Sequence, residues 1–86
     1  DAYPNPFNPN TTIRYQLESP GKVKIDIYNQ RGQLVRSFSQ SHDAAGYYSI
    51  LWDGCDSSGR ALASGVYLYR MTSGQYSGVK KMVLQK

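Results

Sequence analysis

The 86-residue chain has a single cysteine, Cys55. That excludes an internal disulfide and leaves the redox compartment open. No acidic residue follows Asp56. No apolar run approaches the roughly 18 residues that a membrane-spanning helix requires. The opening Asp1-Ala2-Tyr3-Pro4 has neither a basic leader nor an apolar core of the signal-peptide kind. If the chain is exported, its signal is expected upstream in a longer parent or at the other end. Helical periodicity and internal repeats are also missing.

What is present suits a small β domain. Aromatics make up 13% of the chain, charged residues only 19%, and mean hydropathy is −0.58. The polarity therefore comes mainly from Ser, Gln, Asn and Gly, as in all-β extracellular modules. Eighty-six residues allow one domain with one modest core and no deep enclosed pocket. The net charge of +4 is lopsided: residues 1–56 carry five basic and six acidic side chains, whereas residues 57–86 carry five basic ones alone. A basic end can serve an anionic partner, and Lys on an edge strand also guards against aggregation.

The stretch Gly46–Tyr69 organises the rest. Tyr48, Ile50 and Trp52 alternate along one strand, a polar Asp53–Gly59 turn cluster follows, and a second aromatic strand spans Val66–Met71. The lone Trp and five of the eight Tyr fall between Tyr47 and Tyr76. Before it, Thr11–Leu17 sets Ile13, Tyr15 and Leu17 on one face, and Lys22–Tyr28 sets Val23, Ile25 and Ile27 inward. Asn29–Gly32 is a turn with Gly32 suited to positive φ. In Leu34–Ser39, Val35 and Phe38 are three apart, which demands a bulge or a switch to Leu34 and Phe38. Gln40–Gly46 reads as loop, Ala61–Leu62 as a short extra strand, and Gln75–Leu84 as the last strand with Lys80 and Lys81 outward. The expected core is Ile13, Tyr15, Val23, Ile25, Ile27, Tyr48, Ile50, Trp52, Tyr67 and Tyr69, with Trp52 against Ile25, Ile27 and Tyr69. The fold class is all-β, a sandwich of about seven antiparallel strands. Residues 1–9 hold three of the four prolines, which exclude a helix or central strand there. With Tyr3 and Phe7 they form a lead-in expected to dock on the domain spanning 10–86.

Reaction chemistry is hard to assemble. Cys55 and His42 with Asp43 or Asp53 hold the ingredients of a thiol nucleophile, but they sit in separate polar loops without a cleft. Asp53 and Asp56 in DGCDSSG resemble a calcium loop, yet the third and fifth positions are Cys55 and Ser57, the sixth is Ser58, and no Glu follows. An Asx-turn role suits Asp53 better. Tyr28, Tyr47 and Tyr76 are candidates for a sugar-stacking platform; the competing assignment is core edge. Nucleic-acid binding is disfavoured because the cations are scattered. Asn10-Thr11-Thr12 fits a glycosylation sequon. No catalytic residue, cofactor or metal is called for.

Five ordered motifs, YPNPFNPNTTI at Tyr3–Ile13, KVKIDIYNQRGQLV at Lys22–Val35, GYYSILWDG at Gly46–Gly54, SGVYLYRM at Ser64–Met71 and the terminal KKMVLQK, resemble the type A C-terminal sorting domain of the type IX (Por) secretion system. The Ig-like domain of the flagellar hook-capping protein is similar through the WDG…G…GVY part. The resemblance implies an Ig-like, Greek-key sandwich carried by a larger cargo protein. It implies reading by an outer-membrane translocon, removal by a cell-surface sortase in many members, and attachment to anionic lipopolysaccharide. The recognition motif maps onto Lys81, Met82, Val83, Leu84 and Lys86, with Lys80 beside it and Gln85 where an apolar residue is more usual. On this reading the chain is a monomeric, non-catalytic secretion-sorting and cell-surface attachment module. It would be exported through the periplasm to the surface or exterior of a Gram-negative bacterium. The alternatives are a carbohydrate-binding module of a glycoside hydrolase and a structural Ig-like spacer.

Overall fold

The computed structural model describes residues 11–74 and 76–84. Six antiparallel strands form an Ig-like sandwich: β1 (Thr11–Leu17), β2 (Gly21–Tyr28), β3 (Leu34–His42), β4 (Gly46–Trp52), β5 (Gly65–Ser73) and β6 (Tyr76–Leu84). β1 and β4 make a two-stranded sheet, and the other four form a second sheet in the order β3-β2-β5-β6. Strand alternation puts one face of each sheet inward. The two-stranded sheet contributes Ile13, Tyr15, Leu17, Ile50 and Trp52; the larger one contributes Val23, Ile25, Ile27, Tyr67, Tyr69, Met71, Met82 and Leu84, all buried.

Trp52 is fully buried and meets Tyr67 edge-on, with ring centroids 5.4 Å apart. Burying an indole leaves its N–H in need of an acceptor, and Nε1 donates to the Cys55 carbonyl at 2.9 Å. The ring partner is thus Tyr67, while Ile25, Ile27 and Tyr69 complete the same core. Tyr67 Oη donates to the Ala63 carbonyl at 2.7 Å. A tyrosine at the start of the strand after the inter-sheet crossing, tied to backbone just upstream, is the tyrosine corner of Ig-like sandwiches.

Several elements depart from the sequence reading. Among the described residues there are six strands rather than about seven: at Ala61–Leu62 a single bridge, Cys55 to Ala61, replaces the short strand. The loop's backbone is committed elsewhere. Asp56 Oδ1 accepts from Ser58 N and Arg60 N, and Gly59 takes φ +87°. β3 runs on through Gln40, Ser41 and His42, paired with Val23, Lys22 and Gly21. These polar residues looked like loop because an edge strand has little to bury. The spacing problem in β3 is solved by a bulge: Ile27 pairs with Arg36 and Tyr28 with Leu34, so Val35 is the extra residue. Val35 and Phe38 then both pack against the core, half-buried, while Leu34 is exposed. Tyr48 is only partly buried, because it lies at the sandwich end with its ring stacked on His42 and its hydroxyl donating to the Ala44 carbonyl. The lead-in 1–9, the sequon's Asn10, Gln75, Gln85 and Lys86 lie outside the described residues.

Trp52→Ala would remove the largest buried ring and leave a cavity between the sheets. The expected cost is about 3–5 kcal/mol, read as a lower denaturant midpoint at unchanged slope. In the intact protein, Trp52 fluorescence should resist iodide quenching.

Candidate recognition edge and the cleft beside it

β6 is an edge strand: it pairs with β5 along its whole length, and no described strand lies on its other side. Its register fixes where each side chain goes. Met82 pairs with Tyr67 and Leu84 with Gly65, and both are buried. Lys81 pairs with Leu68 and Val83 with Val66 on the opposite, outer face. Val79 and Val83 are 55% and 45% exposed, and Leu68 on the neighbouring β5 is 41% exposed. The outer face near the end of β6 is therefore an apolar surface carrying Lys81, with Arg70 set over the Tyr28 ring.

Lys80 does not share that face. Adjacent strand residues alternate sides, and Lys80 pairs with the inward Tyr69. Among the described residues the two-stranded sheet does not extend over this part of β6, and Lys80 stays exposed. The uncovered strip forms a cleft of about 440 Å³ between β1 and β6, floored by Tyr69, Met71 and Gly78 and walled by Arg14 to Leu17, with Lys80 and Tyr76 at its rim. The sequence reading, which set both lysines outward, needs this correction.

The other candidates are not brought together. His42 sits beside Tyr15, whose hydroxyl is 2.8 Å from Nε2, and stacks on Tyr48 at 3.6 Å. Cys55 follows the far end of β4, its amide held by Asp53 Oδ1 and its carbonyl by Trp52 and Arg36. A strand length separates the two residues. Asp53 forms an Asx turn and an ion pair with Arg36 at 3.1 Å, and Asp56 forms a second turn. Among the described residues no group of three or more His, Cys, Asp or Glu could hold a metal. Tyr28 lies on the outer face of the larger sheet, Tyr47 on the outer face of the smaller one, and Tyr76 at the cleft. The three rings thus form no common platform.

The FlgD Ig-like domain model matches residues 8–77. The chain belongs to the FlgD Ig-like domain family. Three solved structures resemble this FlgD Ig-like domain. FlgD from P. aeruginosa, at 24% identity and a TM-score of 0.72, matches 87% of this chain and 60% of its own, and shows the fold alone. FlgD from Xanthomonas campestris, described for its hook capping in flagellar assembly, is 26% identical over 95% of this chain and 59% of its own, with a TM-score of 0.73. Dimeric latent PorU from Porphyromonas gingivalis is 28% identical over 100% of this chain and 9% of its own, with a TM-score of 0.78. The chain thus spans about three-fifths of the two FlgD chains and one small portion of PorU. No curated protein matches it.

Burial raises the hydroxyl pKa of Tyr15, Tyr67 and Tyr69 above the ordinary tyrosine value, helped by Tyr48 for Tyr15 and by Tyr76 for Tyr69. The unfolded chain ionises these groups first, near pH 10. Their contribution to stability is then complete below about pH 10 and lost as pH rises through the folded-state values. Denaturant titrations at successive pH values should show unfolding free energy falling above about pH 10, with a shallower fall in Tyr69→Phe.

Proposed function

We propose that this domain is a non-catalytic module that addresses a larger bacterial protein for secretion and surface attachment, with β6 and the residues after it as the address. The observation that carries this reading is β6 itself. It is a nine-residue edge strand whose outer side presents Val79, Lys81 and Val83, while Met82 and Leu84 anchor it in the core. An exposed edge can be read by strand addition, with main-chain hydrogen bonds giving affinity and pockets for alternate side chains giving specificity.

Two further facts support it. The terminal KKMVLQK motif resembles that of type IX sorting domains, and the whole chain matches a module-sized 9% of PorU. On this reading the partners are an outer-membrane translocon and a cell-surface sortase, with anionic lipopolysaccharide as the attachment acceptor. Sugar recognition lacks comparable support, since the candidate rings face three different surfaces.

The test fuses residues 1–86 to a periplasmic reporter in a host with the secretion system. Removing Gln85 and Lys86 should abolish export while moving the thermal midpoint by a few degrees at most, about what two terminal residues contribute. Lys81→Gln should reduce export at unchanged stability, because an exposed charge steers a partner but adds little to folding. Wild-type export of the folded truncation would refute the address.

A further inference from the structure

The outer face of the larger sheet segregates its residues in rows. Opposed residues of paired strands share a face, so the ladders give the rows directly. Leu34, Tyr28, Leu68 and Lys81 form one row, and Val66 and Val83 lie beyond its β5 and β6 members. Next to it run Ser37, Asp26, Arg70 and Val79, and then Ser39, Lys24, Thr72 and Ser77. Leu34, Leu68, Val79 and Val83 are all exposed, with Tyr28 and Val66 half-buried among them. Single exposed apolar residues are ordinary, but these adjoin to make a band at one end of the face.

Exposed charge on this face has one sign. Lys22, Lys24, Arg70 and Lys81 stand on it, and Arg31 is exposed in the turn after β2. The acid among them, Asp26, is buried, accepting from the Ser37 hydroxyl and lying 3.9 Å from Lys24. The other acids of the described residues, Glu18, Asp43, Asp53 and Asp56, lie in the connections between strands. A two-fold contact would set the same patch on both copies. It would bring these cations against themselves, which disfavours a second copy of the chain as the occupant.

We infer that this face docks on the surface of an anionic lipid bilayer. The occupant follows from complementarity. The aliphatic band offers carbon alone, so what covers it must be apolar, and the bordering cations call for negative charge beside that apolar region. An acidic bilayer presents both in one plane, acyl chains under anionic head groups. Interfacial binding adds apolar burial to the attraction of Lys and Arg by such lipids. Leu34, Leu68, Val79 and Val83 meet the acyl boundary, while Arg70 and Lys81 keep their charges at head-group level on long apolar stems. Lys80 takes no part, because it lies on the opposite face of β6. The inference does not rest on β6 being an address: Lys81 belongs to both readings, but Leu68 and Arg70 belong to this one alone.

The experiment sediments the full chain with sucrose-loaded vesicles, either of phosphatidylcholine alone or of phosphatidylcholine and phosphatidylglycerol in equal parts. Binding is expected on the mixed vesicles and should be negligible on the neutral ones. It should weaken when salt is raised from about 0.1 M to about 1 M, which shortens the screening length from about 10 Å to about 3 Å. Arg70→Gln and Lys81→Gln should each reduce affinity roughly fivefold, and Leu68→Ser by roughly threefold or more. Lys80→Gln should change it by less than about twofold, its charge lying about a screening length further from the lipid. All four side chains are exposed, so thermal midpoints should stay within about 4 °C of wild type. Absence of binding to the mixed vesicles overturns the inference and leaves the face to an acidic protein surface. Equal losses from Lys80→Gln and Lys81→Gln overturn it by reducing the binding to net charge. Full binding by Leu68→Ser overturns it as well, because the apolar band would then touch nothing. The vesicles contain no translocon, so these outcomes are independent of export.

Discussion

Burying one indole between two sheets organises this domain. Trp52 fills the centre, but its N–H must be satisfied in a place where water is excluded. The Cys55 carbonyl that accepts it also accepts from Arg36 Nη1 at 3.1 Å. Arg36 in turn holds Asp53 and lies over the Phe38 ring. The bulge at Val35 is part of the same arrangement, since the Val35 carbonyl accepts from Ser57 N at 3.0 Å. The loop after β4 is thereby fastened to the edge of the opposite sheet. A single aromatic ring thus dictates the course of a polar loop and ties together two sheets that share no backbone ladder.

The inward rows of β1, β2, β4 and β5 were legible because half-buried strands write their burial into every second residue. Val23, Ile25 and Ile27 could hardly face anywhere but a core. The end of β3 was not legible: Gln40, Ser41 and His42 form a ladder on an edge that buries little, so pairing leaves no mark in composition. The Ala61 region failed in the opposite sense, as its apolar pair suggested a strand where Asp53 and Asp56 had already bent the backbone into turns. Along β6, Lys80 and Lys81 read alike in sequence. Which one overlooks the cleft depends on how far the other sheet reaches, a tertiary fact with no local signal. Thr11 carried none either, since a buried threonine at a strand start resembles any other.

Membership in the FlgD Ig-like family gives the scaffold, and what a scaffold does depends on the surface grafted onto it. In this chain the distinctive surfaces lie around β6, with an apolar, lysine-bearing face outside and an open strip within. The strand is held firmly by Met82 and Leu84 while its outer face stays accessible. That combination of rigid anchoring and open edge suits an element meant to be recognised. An ordinary edge strand would more often be short or hidden.

Thr11 and Leu84 sit at the same end of the sandwich, because Thr11 pairs with Trp52, Trp52 meets Tyr67, and Leu84 pairs with Gly65 close by. A mechanical load applied between those two points would not slide strands lengthwise against many hydrogen bonds at once. It would peel β1 from β4 and β6 from β5, rung by rung, starting from the loaded end.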